Sequence, residues 1–196
     1  MIQVDFQIRE LAQAGAIAPF KDYDSGFQEV YSSGLSSCGY DLRLARDFKS
    51  VDGKLGDRRH IPVAEWESPS CPWYGEDDHG EFFLSHPGSF WLARTVETLQ
   101  IPDDVMVLFF DKSSLAREGI ITNVTPGEPG WKGHLTLEIS NNGPNPVKLY
   151  IGQGIVQSVW HKLPHRPERV YSNKRGGAPG KYQDQVGVTL SRSGKE

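Results

Sequence analysis

The chain has 196 residues, and 21 basic against 25 acidic side chains give it a formal charge of −4. A net acidic chain lacks the basic footprint of duplex-DNA or anionic-membrane binders, and no apolar run approaches the roughly 18–20 residues of a membrane span. Its 21 glycines and 13 prolines exceed average usages of about 7% and 5%, which favours many short elements over a helical bundle.

The first half of the chain is predicted to contain one helix and two irregular stretches. Apolar residues at helical spacing predict a helix over Asp5–Gln13, and Gly15 follows where a C-terminal cap belongs. The polar stretch Tyr23–Ser37 is predicted as a loop. The stretch Val51–Gly80 is predicted as an ordered irregular excursion, to which we assign no function. The first residues lack the pattern of a secretory signal, so we expect a cytoplasmic protein with no nucleic-acid or membrane partner.

The second half of the chain alternates short apolar segments with Pro, Gly and Asn turns. This pattern predicts a mainly β fold, a sandwich, jelly roll or barrel, with a few short helices. The predicted strands are Phe82–Leu84, Phe90–Val96, Val105–Phe110, Ile120–Val124, His134–Ser140, Val147–Ile151 and Ile155–His161. A single helical turn is predicted over Asp111–Gly119, with Asp111 as its N-cap and Gly119 at its end.

We predict one domain over residues 1–196. It has an N-terminal helix region at 1–20 and a C-terminal tail at 171–196. The tail is rich in glycine and should be mobile unless something pins it.

A zinc site has little support in the sequence. His79-Gly80-Glu81 matches the first half of the zinc-deaminase signature, H-x-E followed by P-C-x-x-C. The second half is missing, because Cys71 lies upstream and is followed by Pro-Trp. The two cysteines cannot fill a four-ligand zinc site alone. The chain also lacks a nucleophile elbow, a Walker loop and a dinucleotide fingerprint.

The predicted strand His134–Ser140 carries a candidate acid–base group. Leu135, Leu137 and Ile139 alternate with polar residues, so they are expected to face the core. Glu138 then points from the opposite face of a rigid strand, where a carboxylate could move protons. A solvated outer face is the alternative interpretation.

The predicted helical turn carries a candidate binding group. Ser113 and Arg117 are four residues apart and share a face, and Lys112 with the first-turn amides would suit an anion. An ordinary capped connector is the alternative. The loop Asn123–Gly133 follows, and its three glycines would let the backbone approach a ligand closely.

Several separated motifs occur in the order seen in the dUTPase superfamily. They are Cys38–Leu42, Lys112–Arg117, Glu128–Gly133, Leu137–Glu138, Gly152–Gln157 and Lys181–Gln185. Within that superfamily the chain resembles the dCTP deaminases, through S-S-L-A-R, P-G-W-x-G, L-E and K-Y-x-x-Q. The resemblance covers roughly residues 36 to 191.

The resemblance implies zinc-independent hydrolytic deamination of dCTP to dUTP and ammonia, which supplies dUTP for dUMP and dTTP synthesis. It implies a homotrimer of distorted jelly-roll, barrel-like subunits with sites at subunit interfaces. Mg²⁺ is implied as a bridge for the substrate triphosphate rather than as a protein-bound ion, and dTTP is implied as a possible feedback inhibitor.

The resemblance also assigns roles to residues. Glu138 is the implied proton shuttle, and Ser113 and Arg117 hold the pyrimidine and the catalytic water. The tail residues Lys181 and Gln185 are expected to fold over the site. The implied substrate contacts are Lys112, Ser113, Ser114, Leu115, Ala116, Arg117, Glu128, Thr136, Leu137, Glu138, Gln157, Tyr171, Lys181 and Gln185.

Two other functions stay open at this stage. One is a bifunctional enzyme that also hydrolyses dUTP to dUMP and pyrophosphate. The other is a non-catalytic, nucleotide-binding regulatory β-domain, although the presence of Glu138, Ser113 and Arg117 together weighs against it. Glu128 stands where many relatives carry aspartate, and this change mildly favours the enzyme that releases dUTP.

Overall fold

The structure is a computed structural model, and it describes residues 1–23, 29–50, 73–174 and 176–192. The first helix, α1 (Asp5–Gln13), has the predicted bounds. It ends before Gly15, whose φ of +91° suits glycine. Its residue Ile8 is fully buried in the core. Among the described residues, no helix is long and apolar enough to cross a membrane.

The described part of the chain is mainly β. Its strands are β1 (Ile17–Ala18), β2 (Gly34–Ser36), β3 (Gly39–Ser50), β4 (Tyr74–Asp77), β5 (Gly80–Ser85), β6 (Phe90–Gln100), β7 (Val105–Asp111), β8 (Ile120–Asn123), β9 (Lys132–Asn141), β10 (Val147–Tyr150) and β11 (Gly154–Lys162). A short helix, α2 (Ser113–Arg117), joins β7 to β8, and a 3₁₀ turn covers Tyr171–Asn173. The seven predicted strands are confirmed as β5 to β11, with small shifts at their ends.

One large sheet wraps around the core. Its strand order is β7-β11-β3-β6-β9-β8, with β1 added to β6 and β2 added to β3. The two ends of this order, β7 and β8, contact each other, so the sheet nearly closes into a barrel. A smaller sheet, β10-β5-β4, completes the fold. The predicted mainly β, barrel-like fold with a few short helices is confirmed.

The strand β3 connects the two halves of the large sheet. Its first half pairs with β11 and its second half with β6, and the register shifts between Leu44 and Phe48. A shift of this kind bends a strand and increases its twist. A matching irregularity in β6, between Arg94 and Thr98, interrupts its pairing with β9. These bends let the sheet curl around the buried aromatic residues Phe48, Phe83 and Trp160.

Three sequence predictions are wrong in detail. The predicted loop Tyr23–Ser37 contains β2, and the predicted irregular stretch Val51–Gly80 contains β4, although residues 24–28 and 51–72 lie outside the described part. The N-cap of α2 is Lys112, not Asp111. The carboxylate of Asp111 instead accepts a hydrogen bond from the Thr122 backbone N–H at 2.9 Å, so it ties β7 to β8.

Candidate functional site

A cleft of about 1170 Å³ lies against β9 and is covered by the C-terminal tail. Its walls are the outer face of β9, the loop after β8, and the residues that follow Tyr171. Six of the predicted site residues line this cleft: Glu128, Thr136, Glu138, Tyr171, Lys181 and Gln185.

Glu138 is half-buried on β9, and its position follows from the strand alternation. Leu137 and Ile139 are fully buried in the core, so the residue between them faces outwards, as predicted. β9 is paired on both sides: Leu92 of β6 and Asn123 of β8 are the residues opposite Glu138. The Asn123 side-chain amide donates a hydrogen bond to Glu138 Oε2 at 2.8 Å. A carboxylate on a doubly paired strand is therefore held firmly at the cleft wall.

The loop after β8 forms a second wall and depends on a close backbone approach. Gly127 exchanges backbone hydrogen bonds with Val107, at 3.0 and 2.8 Å. A Cβ atom at Gly127 would lie 2.4 Å from Ile101 Cδ1, so the Ile101 side chain would have to shift to admit a larger residue. The next residue, Glu128, forms a salt bridge with Lys174 of the tail. The carboxylate at this position thus connects the loop to the tail.

The C-terminal tail was predicted to be mobile unless contacts hold it. In the structure it is held against β9. Gln185 forms a parallel bridge with Gly133. The His134 N–H donates to Gln185 O at 3.0 Å, and Gln185 Nε2 donates to His134 O at 2.6 Å. The Trp131 indole N–H donates to Tyr182 O at 2.9 Å. In this arrangement the described tail covers the Glu138 cleft of its own chain.

The imidazole of His134 lies beneath this docked tail. Its Nε2 atom is 3.2 Å from Thr98 Oγ1, while its Nδ1 atom is buried without a hydrogen-bond partner. Loss of hydration lowers the pKa of His134, and the nearby charge of Arg94 lowers it further. The fold therefore favours a neutral histidine at the tail contact.

The remaining predicted site residues lie elsewhere, at α2 and the neighbouring strands. Ser113, Ser114, Ala116 and Arg117 are exposed on α2, and Leu115 is buried in the core. A substrate contact by Leu115 or by the fully buried Leu137 would have to use the main chain, because both side chains pack inwards.

Lys112 is held inside its own chain. Its ammonium group lies 2.6 Å from Asp41 Oδ2, 2.8 Å from Ser32 Oγ and 3.0 Å from Ser32 O. An ammonium has three N–H donors, so these acceptors account for all of them. Gln157 of β11 lies opposite Asp41 in the sheet and is half-buried. Lys112 and Gln157 therefore belong to the same region as α2.

The two groups do not share a cleft within the described chain. α2 lies just before the first residue of β8, whereas Glu138 is paired with the last residue, Asn123. At about 3.3 Å per strand residue, roughly 10 Å of strand separates them. We call the residues Lys112–Arg117 with Gln157 the α2 group, and those lining the cleft the Glu138 group.

The zinc-like segment lies on the small sheet, outside the residues that line the cleft. His79 lies in the turn between β4 and β5, and Glu81 forms a salt bridge of 2.7 Å with Arg46. Cys71 lies outside the described residues. Within the part of the chain that the structure describes, no three His, Cys, Asp or Glu side chains are grouped so as to hold a metal ion.

Three residues that line the cleft or bond Glu138 were assigned no role from the sequence: Asn123, Lys174 and Tyr182. The first could have been found by pairing β8 with β9 as antiparallel neighbours and reading the residue opposite Glu138. The other two depend on how the tail folds back, for which the sequence carries no periodic signal.

Comparison with known proteins shows the family of this chain. A family model described as dCTP deaminase-like matches residues 2–163. The chain belongs to this family. It is 44% identical over 186 residues to a dCTP deaminase of Gemmatimonas aurantiaca, with 91% of each chain covered. It is 43% identical over 192 residues to a dCTP deaminase of Erythrobacter litoralis, with 96% of this chain and 97% of the relative covered.

A solved structure supports the fold independently. The 2′-deoxycytidine 5′-triphosphate deaminase from Agrobacterium tumefaciens superposes with a TM-score of 0.58 at 20% sequence identity. The match covers 82% of this chain and 47% of that chain, so this chain spans about half of that protein's length.

Proposed function

We propose that this member of the dCTP deaminase-like family converts dCTP and water to dUTP and ammonia. The observation that carries the proposal is Glu138, a half-buried carboxylate on a doubly paired strand, facing a cleft that the tail covers. The curated relatives, which match over more than nine-tenths of the chain, bear the same activity in their names.

The reaction needs one group that moves a proton repeatedly. Water attacks C4 of cytosine while Glu138 takes a proton from it, and Glu138 delivers that proton to ring N3. The tetrahedral intermediate then carries a hydroxyl and an amino group on C4. Glu138 next moves the hydroxyl proton to the amino group, so that the C4–N bond breaks and ammonia leaves. N3 keeps its proton, and the product is dUTP. One fixed carboxylate suffices for each transfer.

The separation of the two groups supports a site shared between subunits. Ser113 and Arg117 are exposed on α2, where they can face another molecule rather than the Glu138 cleft of their own chain. Phe110 and Ile121, on the strands before and after α2, are also exposed, by 51% and 44%. We propose that a neighbouring copy in a homotrimer buries this surface and brings its α2 group to Glu138.

The polar groups of the cleft fit a magnesium-bound triphosphate. Lys174 and Lys181 supply positive charge, and hard oxygen ligands for Mg²⁺ would come from the phosphates. The chemistry of the ion there would be charge neutralisation, and the proton transfers above need Glu138 alone. We propose a zinc-independent, cytoplasmic enzyme that supplies dUTP for thymidylate synthesis. Control by dTTP would act through the same triphosphate contacts.

Product analysis tests the proposal. The protein is incubated with dCTP and Mg²⁺, and dUTP, dUMP, ammonia and pyrophosphate are quantified. We expect equal amounts of dUTP and ammonia, and stoichiometric pyrophosphate would instead establish the bifunctional reaction. Glu138→Gln should still bind dCTP but lose about 10³-fold or more in turnover. Glu10→Gln, an exposed change on α1, is the matched control. Near-normal turnover of Glu138→Gln would remove this carboxylate from the mechanism.

A further inference from the structure

The hydrogen bond between Asn123 and Glu138 suggests a role that the family resemblance does not assign. Asn123 is the last residue of β8 and lies directly opposite Glu138. Its amide donates to Oε2 at 2.8 Å. Among the described residues, this is the hydrogen bond that the Glu138 carboxylate accepts. The second oxygen, Oε1, accepts no hydrogen bond from the described residues, and Glu138 lines the cleft.

We propose that Asn123 is a positioning residue that holds Glu138 Oε2 and so makes Oε1 the atom that moves protons. This inference rests on the proposed function. With Oε2 occupied by an amide donor, a proton taken from water is accepted by Oε1, and the same atom then faces N3. Without the amide, the carboxylate can rotate, and either oxygen can take the proton in an unproductive orientation.

Within one chain, Asn123 is the described residue that donates a hydrogen bond to the Glu138 carboxylate. On the other side of β9, the residue opposite Glu138 is Leu92, which cannot donate a hydrogen bond. The charged residues that line the cleft are Glu128, Lys174 and Lys181, and Glu128 is paired with Lys174. The amide of Asn123 therefore fixes the orientation of the carboxylate.

Two substitutions at this position separate positioning from general stability. Asn123→Ala removes the donor, and Asn123→Asp keeps the shape but places a second carboxylate beside Glu138. We expect kcat to fall by about tenfold or more in both, with the KM for dCTP changed less than about threefold. Asn142→Ala, an exposed change in the turn after β9, is the control.

A double-mutant cycle completes the test. We expect Asn123→Ala to lower kcat in the wild-type background but to cause no further loss in Glu138→Gln, because the amide acts through this carboxylate. The urea midpoint of each variant shows that it is folded. An unchanged kcat in folded Asn123→Ala, or an equal further loss in the Glu138→Gln background, would overturn the inference even if the wild-type enzyme deaminates dCTP. Release of no ammonia by the wild-type protein would overturn the proposed function instead.

Discussion

Substitution of Gly133 by alanine should undock the tail without unfolding the barrel. Gly133 has a φ of +145°, and a Cβ atom there would lie 2.7 Å from the carbonyl oxygen of Gln185 and 3.0 Å from its nitrogen. Gln185 must therefore move away. This movement breaks the two hydrogen bonds between His134 and Gln185, and the bond from the Asp184 N–H to Lys132 O at 2.9 Å. Each hydrogen bond contributes about 1 kcal/mol net, so docking of the tail weakens by about 3 kcal/mol. The equilibrium constant for docking then falls more than about a hundredfold.

Limited digestion with trypsin measures this loss directly, because Lys181 lies in the docked tail. We expect Gly133→Ala to be cut after Lys181 at least about tenfold faster than wild type, and the KM for dCTP to rise by a similar factor. Gly152→Ala is the matched control, since Gly152 also has a positive φ, of +78°, but nothing within 4 Å of its Cβ position. Equal cleavage rates and equal KM values in the two variants would refute the steric reasoning.

Two further predictions concern stability. The pKa of His134 is lowered in the folded state. As pH falls below about 6.5, the unfolded state therefore binds more protons than the folded state. The free energy of unfolding should then decrease from pH 7.5 to pH 5.5. Urea denaturation should show a weaker decrease in His134→Gln, and an identical pH dependence would contradict this. Lys112→Met leaves Asp41 buried without its cation, and the side chain of Asp41 is only 8% exposed, so the free energy of unfolding should fall by about 3 kcal/mol. An unchanged urea midpoint would show that this ion pair is not structural.

The predictable part of the fold follows local alternation. β9 could be placed from the sequence because Leu135, Leu137 and Ile139 alternate with polar residues, and the same alternation oriented Glu138 correctly. α1 could be bounded because apolar spacing and Gly15 act within a few residues of each other. These signals are local, and a strand or helix shows them whatever its neighbours are.

β3 was not predicted, although apolar and charged residues alternate over Tyr40–Leu44 as they do in β9. Arg43 lies within the strand, and its guanidinium bonds Glu97 at 2.6 Å, where Glu97 has no exposed surface. Burial raises the pKa of Glu97 despite this partner. A buried ion pair between β3 and β6 makes polar residues compatible with a core position, and the sequence of either strand alone cannot reveal it. Docking of the tail also depends on residues far apart in the sequence, since Gln185 binds His134.

The division of the predicted site into two groups also has a physical reason. The motif around α2 and the motif around Glu138 are each local, so the sequence identifies both, yet it carries no information on which copy of the chain joins them. Lys112 shows the consequence. Its three N–H donors are used by Ser32 and Asp41 of its own chain, so it fixes the start of α2. Arg117 stays exposed, as the proposed contact with a neighbouring subunit requires. Under the proposed function, a net acidic chain would bind one triphosphate because a few basic groups from two copies converge on it, while the rest of the surface stays acidic.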